Sequence, residues 1–506
     1  MKRQKILIIV LLSLFVLLLV GYFLIIRPMT ETPEETDEAP PETEAGEALG
    51  NGNRFFLFGS LSRSDIAQIE VENEYGTFAF YQAAENEFEI RGYDSVPYDE
   101  TLFASLVNVS AYTLSKTKVG SNLSDEKIAE YGLEEPVARW TVTSTGGDKY
   151  TVLVGDRLLT GGGYYCMLEG RRSVYVLGTE VADTILVPIE NYVTPVLTTG
   201  ISQENYYEVN HFTVYKDGEM LLRIRLKDKE DQNNPDALAE NIMDYPTAYY
   251  PNSNMYYEII FAYMELQADS CYKLGASAED FAAVGLDNLA HGITFEYEGQ
   301  TFELYFSELT EDGTYYVYSS LYPNVIGVCS GENHEYLEYS LIDWIDPYVY
   351  QEYITNIQKL SISTDTVQAE FRLEHDVDDE NRALLSVTTE GRALPEDYIP
   401  EFRDFYKSLV ALAIQDYYAA DEYATMTLEE MEAFAADPEN AYMTFTATTL
   451  SGEETVYRFY PYSTRHSLVT IDGVGEFYVL TDLVKKIEND TIRVLNGEEI
   501  EEFGKS

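Results

Sequence analysis

Three glycines, Gly146, Gly299 and Gly452, recur at an interval of 153 residues both times, and the residues around each repeat the same order of signals. Self-similarity at a fixed interval constrains the fold more than any one motif, because each copy must form the same structural unit. Ahead of each glycine lies a short helix with a start signal. In the first copy Ser124 caps it, Leu123 and Ile128 form a hydrophobic staple, and Gly132 takes the left-handed C-cap position. In the second, Ser277 and Asp280 make a capping box and Gly285 ends the helix. In the third, Thr427 and Glu430 make the box, Met426 and Met431 the staple, and Pro438 stops the helix.

The glycines themselves punctuate hairpins. Thr145 to Gly147 lead into Tyr150 to Val154; Ile293 to Tyr297 turn through Gly299 into Phe302 to Phe306; Met443 to Thr446 turn through Gly452 into Val456 to Tyr460. A second strand pair follows in each copy: Tyr164 to Leu168 with Val174 to Leu177, Tyr315 to Ser319 with Val325 to Val328, and Leu468 to Ile471 with Phe477 to Leu480. A longer amphipathic helix precedes each short one, around Leu102 to Val107, Tyr256 to Tyr263 and Phe402 to Val410. Strand pairs stand ahead of those, such as Ile66 to Val71 with Thr77 to Tyr81 and Phe212 to Tyr215 with Leu221 to Leu226. A closing helix is visible in the first and third copies, Val181 to Leu186 and Leu483 to Glu488. Helices do not alternate strictly with strands, so the class is α+β: three tandem modules of antiparallel sheet with packed helices, at residues 54–200, 201–350 and 351–506.

What precedes the modules is of another kind. Ile6 to Ile26 are 21 residues without a charge, which at about 1.5 Å per residue spans a hydrocarbon core of about 30 Å. The rival reading is a cleaved signal peptide, but the run exceeds the usual apolar length of about 7 to 15 residues, and no small-x-small site closes it. Lys2, Arg3 and Lys5 lie before the run and only Arg27 after it, which orients the N-terminus to the cytoplasm. The expected order is a cytoplasmic stub at residues 1–5, a single-pass anchor at 6–26, a tether at 27–53, and the bulk of the chain outside the cell membrane. Pro28 to Asn53 hold eight acidic residues, no basic ones and four prolines, a composition that stays extended.

Charge narrows the partners. The chain has 88 Asp and Glu against 33 Lys and Arg, a net of −55, which excludes a phosphate-tracking nucleic-acid binder. Such a body is repelled by anionic lipid headgroups and stands off the bilayer on its tether. Three cysteines, Cys166, Cys271 and Cys329, are too few for a disulfide framework or a Cys-based zinc cluster. Cys166 and Cys329 fall in expected strands and Cys271 near a helix end, so buried free thiols are the default.

The motifs with chemical content are weak. His211, His291, His334, His375 and His466 are 41 or more residues apart, so no local ligand set exists. Ser115 to Lys118 and Ser124 to Lys127 match S-x-x-K without the companion motifs, and Ser124 already has a capping role. Gly161 to Gly163 precede a strand, which makes them a hairpin connection, and Gly504-Lys505-Ser506 lacks the rest of a P-loop. Asp376, Asp378, Asp379, Glu380 and Asn381 form the one acidic cluster with a cation-site flavour, but without the glycine and later glutamate of an EF-hand. Forty-three tyrosines against two tryptophans suit strands with one wet face. No catalytic, cofactor-binding or metal residue emerges, and no cofactor is expected.

Tyr131-Gly132-Leu133-Glu134-Glu135-Pro136, then Tyr150-Thr151-Val152-Leu153-Val154-Gly155, Gly163-Tyr164-Tyr165 and Val174-Tyr175-Val176-Leu177, resemble the bacterial domain of unknown function forty-three-forty over roughly residues 60–190. The second copy keeps Gly285-Leu286 and Tyr315-Tyr316 but lacks the proline and the Val-Gly pair, and the third lacks the Gly-Leu pair. The resemblance implies a membrane-anchored extracytoplasmic protein of the kind often encoded beside ABC-transporter components, including ones assigned to gliding motility. It supplies no catalytic residues. Three readings stand: a non-enzymatic binding or scaffold protein accessory to an ABC transport system, an envelope hydrolase cutting glycan through paired carboxylates, and a module that binds cell-wall glycan.

Overall fold

A computed structural model describes residues 47–50, 54–59, 61–85, 87–226, 241–288, 290–376 and 383–500. The expected membrane anchor, residues 6–26, the stub before it and nearly all of the tether lie outside the described residues. No helix among the described residues is long and apolar enough to cross a membrane.

A small pair comes first, β1 (Ala48–Leu49) with β2 (Phe55–Phe56). Three larger sets follow. The first is β3 (Ile66–Asn73), β4 (Gly76–Ala84), β5 (Glu87–Ile90), β6 (Thr117–Gly120), β7 (Ala138–Ser144), β8 (Lys149–Arg157), β9 (Tyr164–Leu168) and β10 (Val174–Leu177). The second is β11 (Asn210–Lys216), β12 (Glu219–Leu226), β13 (Asn241–Tyr245), β14 (Ser270–Leu274), β15 (His291–Tyr297), β16 (Gln300–Phe306), β17 (Thr314–Ser319) and β18 (Val325–Ser330). The third is β19 (Ile357–Thr364), β20 (Gln368–His375), β21 (Leu384–Thr389), β22 (Arg392–Ala393), β23 (Ile414–Tyr417), β24 (Met443–Thr449), β25 (Glu454–Pro461), β26 (His466–Ile471) and β27 (Val474–Leu480). The class is α+β with antiparallel sheets, as the repeats require.

The chain divides into two compact units, residues 1–74 with 106–185, and residues 75–105 with 186–506. In the first unit the strand order is β3-β7-β8-β9-β10-β6. The second unit holds two sheets, β13-β12-β11-β15-β16-β17-β18-β14 and β22-β21-β20-β19-β24-β25-β26-β27-β23, and also the β4–β5 hairpin pair. The run β3-β7-β8-β9-β10-β6 corresponds strand for strand to β11-β15-β16-β17-β18-β14 and to β19-β24-β25-β26-β27-β23. One feature of them escapes the sequence pattern: β6, β14 and β23 lie in the chain between the long and short helices, yet each pairs antiparallel with the last strand of its sheet. They are four or five residues long, too short to carry a clear period of two.

The helices start where side chains satisfy their free N–H groups. Ser124 accepts from the Lys127 N–H, and Ser277 with Asp280 and Thr427 with Glu430 complete capping boxes. Gly132 and Gly285 take positive φ at the helix ends, and Met426 packs with buried Met431. The long helices are Glu100–Ala111, Ser253–Ala262 and Ile399–Val410. The closing helix of the third set, Thr481–Asn496, runs past the expected Glu488. The second set closes with a short helix, Leu341–Trp344, after two 3-10 turns that the apolar pattern did not mark.

Along β7 and β20 buried and more exposed residues alternate, so one face of each sheet is dry and the other wet. In the second unit a single hydrophobic core runs from Leu197 to Ile500, joining Phe212, Phe295 and Trp344 to Phe371, Phe405 and Phe445. The second and third sheets therefore share a core. Many tyrosines belong to it instead of to a wet face, their hydroxyls paired inside: Tyr336 donates to Tyr263 at 2.9 Å, and Tyr350 and Tyr406 bond at 2.7 Å; Tyr460, in a smaller core with Met431, donates to the Ala435 carbonyl at 2.8 Å. Burial without a partner would cost about 1–3 kcal/mol for such a hydroxyl.

Candidate functional site

The five histidines do not converge. His211 pairs with Glu296 at 3.2 Å; buried His291 lies 3.4 Å from Glu338; His334 Nδ1 is 3.0 Å from the Ser330 carbonyl and His375 Nε2 is 2.7 Å from the Ile357 carbonyl. Among the described residues no group of three His, Cys, Asp or Glu side chains could hold a metal ion. Of the acidic cluster only Asp376 is described; Asp378, Asp379, Glu380 and Asn381 lie outside the described residues, as does Gly504-Lys505-Ser506. Ser115 is buried and accepts from the Phe55 N–H at 3.0 Å, and Lys118 pairs with Glu47 at 3.0 Å, so that S-x-x-K match is structural. Gly161 and Gly163 take positive φ in a hairpin loop. Cys166 and Cys329 are buried; Cys271 sits in β14, not at a helix end, and burial pushes its thiol and that of Cys329 up to about 12. Tyr81 donates to Glu89 at 2.6 Å and lies 3.0 Å from Asp94, an ordinary hydroxyl shared by two acceptors.

His466 has the most chemical arrangement. It opens β26, and its Nδ1–H donates to Asp421 Oδ2 at 2.7 Å across 45 residues of chain. Asp421 also accepts from the Tyr462 hydroxyl and from the Tyr423 N–H at 3.1 Å, and its side chain is only 3% exposed. The His466 ring stacks on Tyr478 at 4.4 Å and meets Tyr423 edge-on at 5.2 Å. The bond to Asp421 places a proton on Nδ1 and orients the ring. Burial alone pushes the Asp421 carboxyl up, but the bonds from Tyr462, the Tyr423 N–H and His466 outweigh it and hold it below the usual range. Glu488 of the closing helix behaves likewise: burial raises it, and the hydroxyls of Thr366, Tyr442 and Thr364 lower it further than that.

These shifts set a sign. A carboxyl lower in the folded than the unfolded chain adds stability that is fully present above the unfolded value, 3.8 for Asp421 and 4.5 for Glu488, and is lost as pH falls through the folded one. Asp421→Asn is expected to lower stability at neutral pH and to flatten its acid loss, measured by urea melts between about pH 6 and about pH 3. A variant whose acid limb runs parallel to the parent's would refute the assignment.

The second unit also contains a cavity of about 370 Å³ where β12, β13 and the loop after them face β24, β25 and the β26–β27 turn. Arg225 lines it, its Nε donating to Asp244 Oδ2 at 3.1 Å, while Arg223 takes the same carboxylate through two bonds of 2.8 and 3.2 Å. Thr247 donates to the Ile471 carbonyl at 2.9 Å and pins the loop to the third sheet. The Tyr250 and Tyr457 phenols also line the cavity. Burial first, then the charges of Glu352 and Glu453 on Tyr250 and of Glu352 and Asp472 on Tyr457, push both phenols up, so they stay neutral. No local pattern marks this cavity, since its lining comes from three distant stretches, residues 225–251, Glu352 and residues 447–474.

The residues that carry the family resemblance have a structural task. Ile128, Leu133, Leu153, Met167 and Val174 make a small core with Leu123, Tyr131 and Tyr165 against it. Gly155 lets the chain close on it: a Cβ there would stand 2.2 Å from the Tyr131 carbonyl oxygen, which accepts from the Asp156 N–H at 2.9 Å. No curated protein and no solved structure matches the chain. The family described as Domain of unknown function (DUF4340) matches twice, over residues 90–260 and 258–431, which reaches well into the copies that had looked divergent. With two tandem matches spanning residues 90–431, the chain belongs to the DUF4340 family.

Proposed function

We propose that this is a single-pass membrane protein whose extracytoplasmic modules bind or scaffold a partner, with an ABC transport system of the same membrane as that partner. The apolar run at residues 6–26, the basic residues before it and the acidic tether after it support the anchored topology. Tandem sheets with one wet face each suit display of surface to a partner. The observation that most supports binding over a purely mechanical role is the 370 Å³ cavity, of a size that takes small ligands and set where two sheets share one core.

Purification of the tagged full chain from detergent-solubilised membranes is the test. Transporter subunits are expected to copurify above an untagged control. Their recovery only at background would remove the transporter link.

A further inference from the structure

We propose that the cavity between the second and third sheets binds a small organic cation bearing primary ammonium groups, a linear polyamine being the simplest such compound. Four carboxylates line it, those of Asp244, Glu352, Glu453 and Asp472, against one guanidinium, Arg225. That guanidinium is committed to Asp244. The remaining three carboxylates line the same cavity as the Tyr250 and Tyr457 phenols. Glu453 makes no side-chain hydrogen bond among the described residues, and Asp472 gives one oxygen to the Val456 N–H at 2.9 Å.

The cavity's volume, together with that charge, selects the ligand. At about 370 Å³ it is far larger than an ion, and its carboxylates do not converge into a metal-binding group. An anion would meet net negative walls, and a neutral sugar would bring no positive charge to the Glu453 carboxylate. An extended ammonium compound matches both: its charged ends reach the carboxylates, and its methylenes lie along Tyr250, Tyr457 and Val474. The proposal takes from the binding-protein reading only that this cavity is the site, so failure of transporter copurification would leave it standing.

The test is calorimetric titration of the full chain in nonionic detergent with spermidine at physiological salt. One saturable site per chain is expected. Glu453→Gln should weaken it about tenfold, the loss of one close ion pair of about 1.4 kcal/mol, and Val474→Trp, which fills the mouth, should abolish it. Glu429→Gln, an exposed acid on the helix Leu428–Ala435, should leave it unchanged. Non-saturable uptake, or equal weakening by Glu453→Gln and Glu429→Gln, would show that spermidine only screens the acidic surface and would overturn the proposal. So would binding of glutamate with no binding of spermidine.

Discussion

Gly155→Val is expected to cost about 3 kcal/mol or more and to loosen the core under the first short helix. The added Cβ would stand 2.2 Å from the Tyr131 carbonyl oxygen and 3.0 Å from the Leu133 side chain. Backbone cannot rotate aside as a side chain can, so the turn Tyr131-Gly132-Leu133 must move off β8. That movement breaks the Asp156 N–H bond to Tyr131 at 2.9 Å and exposes Leu133, Ile128 and Leu153. Gly147→Ala, at a positive-φ turn with nothing within 4 Å, is the comparison: it carries backbone strain without a clash and should cost about 1 kcal/mol. Denaturant melts of the full chain, with amide exchange at residues 128–156, would measure both. Equal losses in the two variants would mean that the close approach at Gly155 is not what the family motif protects.

Trp344→Ala is the second large effect, about 3–5 kcal/mol, because the ring is fully buried beside Phe212 and Tyr339 in the core shared by the second and third sheets. Its conservative variant separates packing from hydrogen bonding. The Trp344 Nε1–H is buried with no partner among the described residues, whereas Trp140 donates from Nε1 to Ser110 Oγ at 3.2 Å. Trp344→Phe removes an unsatisfied donor and offsets part of the lost volume. Trp140→Phe instead strands a buried serine oxygen, a further cost of about 1–3 kcal/mol. Calorimetric melting should therefore rank Trp140→Phe as more harmful than Trp344→Phe, and the reverse order would contradict this reading of both sites.

The sequence by itself determined whatever depends on a few neighbouring residues. Caps at Ser124, Ser277 and Thr427, turns at Gly146, Gly299 and Gly452, and the strand pairs around them follow from local hydrogen bonding and backbone freedom, and the structure holds them where the pattern put them. Tertiary structure alone decided that β6, β14 and β23 cross to pair with the last strand of each sheet, that Asp421 meets His466, and that residues of the second and third sheets enclose one cavity. Those arrangements join positions tens to hundreds of residues apart. They are selected by how whole buried faces pack, and a packed face leaves no period or spacing at the places where its distant members touch.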